Sequence, residues 1–274
     1  MRIVDVRCRP SYPGFRELFR PSWAKERLGA PVVQYVDSRD EFVALLDAEG
    51  IELCVVTGRD QTSRDGRAFK NAEIAALGAQ YPTRIIGMAG VDTGIGVRKM
   101  LAQAREGVEA LHLQGLSIDP NLSGLTPSDR LLYPLYAYAE EREAPVIVTM
   151  GPLPIPRNLI DMGLPHHIDR VARDFPGLKV IMSHGVWPSP TEMLACMWKN
   201  PNVYIEGSLY LGQPGTLVLA ENPTMLAERF MFGSGYPVVP IGWMKQQYDK
   251  LGLSGDAADR MWWRNALTLF GRLT

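Results

Sequence analysis

The residues best suited to chemistry are two arginines near the start of the chain and one histidine beyond its middle. Ile3-Val4-Asp5-Val6-Arg7-Cys8-Arg9-Pro10 reads as a first strand, stopped by Pro10, which cannot donate to a ladder. Strict alternation puts Asp5, Arg7 and Arg9 on one face and Val4, Val6 and Cys8 on the other. Arg7 and Arg9 then stand at the C-terminal end of the strand. Two guanidinium groups there form a fork for a carboxylate or another oxyanion. The competing reading pairs them with Asp5, Glu206 or another internal carboxylate, so that they only fill the interior. His184 closes the run Val180-Ile181-Met182-Ser183-His184-Gly185. An ordinary histidine pKa of ~6.5 lets it act as base or acid near neutral pH. Glu206, ending another short strand, is either the counter-charge of an arginine or a second acid/base group.

These groups need a frame. Apolar, β-branched runs at 3–10, 52–57, 84–91, 108–113, 145–149, 178–183, 203–206 and 230–232 read as strands. Between them lie helical patterns: from Ser38, with Glu41 three positions on, to Gly50, then 67–79, 97–106, 128–143, 167–174, 191–199, 215–228 and 256–270. Eight such βα units in 274 residues favour one (β/α)8 TIM barrel over 1–274 rather than an open doubly wound sheet. In such barrels chemistry sits at the C-terminal ends of the strands. The residues expected there, besides the arginines, His184 and Glu206, are Arg59, His112 or Gln114, Thr149, Tyr204, Ser208 and Ser234. Trp187 and Tyr210 follow strands six and seven, and with the arginine-rich aromatic loop 11–38 they fit either core or interface packing or contact with a planar or apolar body carrying an acid group. His166 and His167 read as the start of a helix.

Composition excludes several classes. Net charge is −1 and the sequence pI is about 6.4, which disfavours nucleic acid and acidic membrane surfaces as partners. The three cysteines, Cys8, Cys54 and Cys196, form no CxxC pair, as in a reduced cytoplasmic protein. No signal peptide is expected, and no apolar run approaches the ~18 residues of a membrane span. No glycine-rich phosphate loop follows a strand, which disfavours nucleotides. Trp262-Trp263 fits either the core or the surface of a homodimer.

Several segments resemble the amidohydrolase-related metal-dependent hydrolases, the branch with aminocarboxymuconate-semialdehyde decarboxylase, resorcylate decarboxylases and pyrone-dicarboxylate lactonase. They are the opening strand, Pro145-Val146-Ile147-Val148-Thr149-Met150-Gly151, Asp174-Phe175-Pro176-Gly177-Leu178-Lys179 through His184-Gly185, Asn200-Pro201-Asn202-Val203-Tyr204, Phe232-Gly233-Ser234-Gly235-Tyr236-Pro237, and Asn265-Ala266 with Leu269-Phe270. The resemblance covers nearly the whole chain. It implies a barrel and a metal held by two histidines of strand one, one histidine each of strands five and six, and an aspartate of strand eight. Those positions hold Arg7, Arg9, Thr149, His184 and Gly235 here. Arginine only donates and stays protonated, so it cannot ligate a cation, and one histidine with a threonine is too few donors for zinc.

The expected protein is therefore a metal-independent enzyme without cofactor, acting on a carboxylate-bearing small molecule. Arg7 and Arg9 take the metal's electrostatic role, His184 and Glu206 move protons, and Arg59, His112, Thr149, Tyr204, Ser234 and Trp187 line the substrate. A hydrolase of lactonase type leads. A non-oxidative decarboxylase or other lyase, a hydratase, an isomerase, or a barrel that binds an anion without turnover are the alternatives.

Overall fold

The structure, a computed structural model, describes residues 2–16, 22–154 and 158–271, without the side chains of Ser22 and Trp23. Eight strands form one parallel sheet in chain order: β1 (Val4–Cys8), β2 (Leu53–Thr57), β3 (Ile85–Val91), β4 (Leu116–Ile118), β5 (Val146–Thr149), β6 (Val180–Ser183), β7 (Val203–Glu206) and β8 (Phe230–Met231). The ring closes where Val6 N–H donates to Phe232 O at 3.0 Å and Gly235 N–H to Arg7 O at 2.8 Å. This is the expected (β/α)8 barrel. Helices between the strands cover its outside; the Arg39–Ala48 helix shows how the sequence starts and stops one. The Ser38 hydroxyl accepts from Glu41 N–H at 3.1 Å, Phe42 and Leu46 are buried, and Gly50 at φ 69° turns the chain toward β2. In the 11–38 loop, Phe15 is buried against Tyr12 and Phe69, and Ser22–Leu28 is a short helix. Phe19 and Arg20, also expected to belong to that loop, and the side chain of Trp23 lie outside the described residues.

Two expectations about the strands fail, each for a physical reason. In β1 the alternation breaks. Val4 and Val6 pack with Leu53, Val55, Ile86, Met88, Ile147, Ile181, Tyr204 and Met231, the inward side chains of the other strands. The β1–β2 register then shifts between Asp5 and Cys8. That bulge turns Arg7 inward right after Val6 and leaves Asp5 on the outer face, so Asp5 and Arg7 do not share a side. In strand four, Val97–Arg105 continues as a helix through Glu106–Ala110, and the strand is Leu116–Ile118. The 108–113 stretch had only apolar content to recommend it, and such a run does not separate helix from strand.

The barrel interior is layered. Its lower half is the apolar cluster just named, closed from below by Trp263, Ala266, Leu267 and Phe270 of the last helical segments. One inward position further along each strand, the side chains become Arg7, Thr57, Ser117, Thr149, Ser183 and Glu206, all buried. Two glycines complete that layer, Gly90 and Gly233. A Cβ on Gly233 would lie 2.5 Å from Glu206 Oε2 and 2.9 Å from Arg7 Cβ, so only glycine admits the carboxylate there.

Candidate active site

The upper layer is a hydrogen-bonded network reaching across the ring. The Arg7 guanidinium spans the barrel from β1, donating through one terminal nitrogen to Thr149 Oγ1 at 2.8 Å and through the other to Ser117 Oγ at 3.3 Å. Asp119, just past β4, lies 3.9 Å from Arg7 and takes a two-pronged bond from Arg59, at 3.0 and 2.7 Å. Burial pushes the Asp119 carboxyl up, but Arg59, Arg7 and Arg9 outweigh it and hold the group well below the usual carboxylate range. Arg9 Nε donates to the Thr57 carbonyl at 2.7 Å, and its guanidinium lies 6.0 Å from the centre of the Phe69 ring. Among the described residues the mouth therefore gathers three arginines, Arg7, Arg9 and Arg59, around two carboxylates, Asp119 and Glu206.

His184 follows β6 with its backbone in the left-handed region, φ 65°. Its N–H donates to Glu206 Oε1 at 3.1 Å, and Glu206 Oε2 accepts from Ser208 N–H at 2.6 Å. The carboxylate thus fixes the backbone on which the imidazole is mounted. Nδ1 of the ring meets the Ser208 carbonyl at 3.0 Å and the Ser208 hydroxyl at 2.7 Å. The carbonyl can only accept and the hydroxyl can do either, so a protonated Nδ1, with the lone pair on Nε2, is the tautomer compatible with both partners. Burial, and then the positive charge of Arg7, pushes the His184 pKa well below its ordinary value. The neutral, basic form persists at neutral pH.

Several buried polar atoms in this layer have no partner among the described residues: Arg7 Nε, Thr57 Oγ1, Ser183 Oγ and both polar atoms of the Asn121 side chain. Native interiors rarely leave such atoms unsatisfied. A cavity of about 450 Å³ opens past the ends of β5 to β7, walled by Trp187, Tyr210, Leu159 and Ile160 with Arg27 and Asn158 among its polar groups; the residues of the arginine layer do not line it. The Tyr210 ring stands edge-on to His184 with centroids 6.1 Å apart, so the cavity wall adjoins the histidine.

Of the residues expected here, Arg7, Arg9, Arg59, Thr149, His184 and Glu206 gather at the strand ends, the arginines bonded to one set of partners and His184 with Glu206 to another, the two sets coupled by charge; Trp187 lines the cavity. Three do not. His112 is exposed on the turn before β4, at the opposite end of the barrel, because strand four begins later than expected. Tyr204 belongs to the apolar lower layer, one inward position below Glu206. Ser234 donates its N–H to Asp5 Oδ1 at 2.9 Å and its hydroxyl accepts from Tyr236 N–H at 3.1 Å, which braces β8 against β1 behind the site. Sequence reasoning missed Ser117, Asp119 and Asn121. The alternation Leu116-Ser117-Ile118-Asp119 before Pro120 was the available signal.

The five positions that the resemblance assigns to a metal do not fit one. The Arg7 guanidinium lies against Thr149, so a permanent cation occupies the space between strands one and five. Gly235, at φ 69°, has Leu209 Cδ2 only 2.8 Å from where a Cβ would be, so an aspartate ligand could not be seated there without a shift.

Known proteins place this site in context. An uncharacterised TIM-barrel protein from Bordetella bronchiseptica is 28% identical, with a TM-score of 0.87 over 100% of this chain and 99% of that one. 2,6-Dihydroxybenzoate decarboxylase from Rhizobium is 16% identical, with a TM-score of 0.66 over 98% of each chain. A Pseudomonas putida protein described as a candidate 2-pyrone-4,6-dicarboxylic acid hydrolase is 17% identical, with a TM-score of 0.64 over 98% and 97%. At such identities the last two are similar in fold alone. No protein of curated function matches the sequence. The amidohydrolase family model matches residues 4–272, and with the barrel and its strand-end site this makes the chain a member of the amidohydrolase family.

Proposed function

We propose that this amidohydrolase is a metal-independent enzyme acting on a carboxylate-bearing small molecule, as a hydrolase of lactonase type. The observation that carries the reading is His184: a neutral imidazole with Nδ1 fixed on Ser208 O and a basic Nε2, within the field of three arginines. A buried charge pair seldom stabilises a fold, so three buried or half-buried arginines are better explained by an anion they receive. The cavity walled by Trp187 and Tyr210 suits the planar body of the same molecule.

In the proposed hydrolysis, water adds to the lactone carbonyl while His184 Nε2 takes its proton. Arginine N–H groups donate to the carbonyl oxygen as negative charge gathers there, the role a metal has in related sites. The intermediate collapses, the ring C–O bond breaks, and the imidazolium returns its proton to the leaving oxygen. The product is the ring-opened hydroxy acid. Decarboxylation of an aromatic acid uses the same groups and is separated by its product, carbon dioxide.

The deciding experiment is a turnover screen of carboxylate-bearing lactones and unsaturated or aromatic acids, with and without a chelator. The reading expects ring opening that survives chelation. Loss of turnover in chelator, restored by one added metal, overturns the metal-independent chemistry. Neither turnover nor binding across the panel overturns the substrate class.

A further inference from the structure

We propose that Asp161, His166 and His167 form a binding site for a zinc-class divalent cation at the rim of the barrel, where the chain passes from β5 to the following helix. Asp161 lies in the single turn Ile160–Gly163 after β5, and the histidines open the helix His166–Asp174. The Asp161 carboxylate faces both rings: Oδ1 is 3.7 Å from His166 Nε2 and Oδ2 is 3.7 Å from His167 Nε2. One ligand atom from each residue lies within 4.8 Å of the others. These separations are too long for hydrogen bonds. They approach the ~3.4 Å spacing of neighbouring ligand atoms around a tetrahedral ion with bonds of about 2.0–2.2 Å.

A second observation points the same way. Each histidine has an oxygen near its other nitrogen. Glu192 Oε1 lies 3.5 Å from His166 Nδ1, and Ser128 Oγ lies 2.8 Å from His167 Nδ1. Ser128 gives His167 the outer-shell hydrogen bond that orients an imidazole toward an ion, and Glu192 sets a negative charge behind His166. His167 Nε2 also sits 3.0 Å from the Asp161 carbonyl, to which its proton is donated while no ion is bound. On binding, the neutral ring turns off that carbonyl, which stands in front of Nε2, and changes tautomer: Nε2 gives its lone pair to the ion, and Nδ1–H donates to Ser128 Oγ. The net proton count does not change. The helix N-terminus opposes a cation there, and the Asp161 and Glu192 carboxylates supply the offsetting charge. Asp161 and His166 are open to solvent, so an ion has an entry path, with water completing its coordination. Bound, it ties the Ile160–Gly163 turn to the helix, and Ile160 is a wall of the cavity beside His184. The site stands independently of the chemistry proposed for the barrel mouth.

Calorimetric titration of the full chain with zinc should give one ion per chain. Asp161→Asn and His166→Gln, both at the surface, should each weaken binding about tenfold or more, and Ser128→Ala about tenfold. Zinc should raise the Tm of the parent chain and not that of the Asp161→Asn, His166→Gln double variant. Cobalt should give the strong visible absorption of a four-coordinate ion in the parent alone. Absence of saturable binding below millimolar zinc overturns the proposal, as does equal binding by the double variant. Turnover at the barrel mouth, measured on the same samples, is expected to persist in every variant.

Discussion

The lower and upper halves of the barrel interior come from the same strands, one inward position apart, and they obey opposite rules. Val55 lies below Thr57, Ile147 below Thr149, Ile181 below Ser183 and Tyr204 below Glu206. The lower residues need only shape and apolar surface, each contributing on the order of 1.5–3 kcal/mol by leaving water. The upper residues bury an arginine, two carboxylates and several hydroxyls, whose desolvation costs several kcal/mol per ion. A chain under selection for stability alone would continue the apolar layer upward. The contrast marks where the fold gives up stability, and it is the ground on which the proposed chemistry is placed at the mouth.

The largest effect expected to test that division falls on the upper layer. His184→Asn keeps a residue that tolerates the left-handed backbone at this position and can still donate to Ser208 O, but it removes the basic nitrogen. Once a substrate is found, kcat should fall by about 10²–10⁴-fold, with the Tm little changed. Near-full turnover in this variant would make the histidine a structural group and move the chemistry to Glu206 or to the substrate itself.

The lower layer should respond in the reverse sense. Ile181→Ala, below Ser183, should cost about 2–5 kcal/mol in chemical denaturation, by lost burial and the cavity left behind. Turnover per folded molecule should hold. A change in KM comparable to the stability loss would show that the two layers are coupled and that the division is too sharp.

Asp5 lies behind both layers and responds to pH. Burial raises its pKa to about 6, against hydrogen bonds from Ser234 and Arg7 that lower it. The ordinary value is ~3.9, so the folded chain binds this proton more tightly than the unfolded chain does. Stability therefore falls as pH rises from about 4 to about 6, by up to about 3 kcal/mol, and the deficit stays constant above that range. Asp5→Asn can keep both backbone bonds through its amide oxygen and should remove this slope, so that the variant gains on the parent between those pH values. His184, buried and neutral, gives a slope of the opposite sign in both proteins. It cancels when denaturation curves of parent and variant are compared at each pH. An unchanged difference across the range would place the Asp5 proton elsewhere.

Most of the frame was legible in the sequence because strand and helix periods are local. The Ser38–Glu41 cap, the strand ending in Glu206 and the strand that His184 closes each depend on neighbours within a few residues. The site was legible only in part. Arg7, Arg9, His184 and Glu206 could be picked out because charged groups ending apolar strands are conspicuous. The β1 bulge could not, since it shows only in the register against β2, a contact between segments about 50 residues apart. Asp119 was hidden for a related reason. Once strand four was placed too early, the residue that receives Arg59 and faces Arg7 fell in what read as a loop.

That misplacement supplies the smallest expected effect and a control on the whole comparison. His112 was expected at the mouth. It instead stands exposed at φ 54° on the turn before β4, where Leu113 N–H donates to Gly107 O at 2.9 Å. No described side chain of the arginine network touches it. His112→Gly suits the left-handed backbone and removes the strain of a Cβ there, while the unfolded chain gains freedom. The two terms oppose, so stability should stay within about 0.5 kcal/mol of the parent. Turnover should be unchanged, because the imidazole is at the wrong end of the ring to meet a substrate held by Arg7 and Arg9. Loss of turnover in this variant, with the fold intact by circular dichroism, would put functional residues at both ends of the barrel and break the division between its two halves.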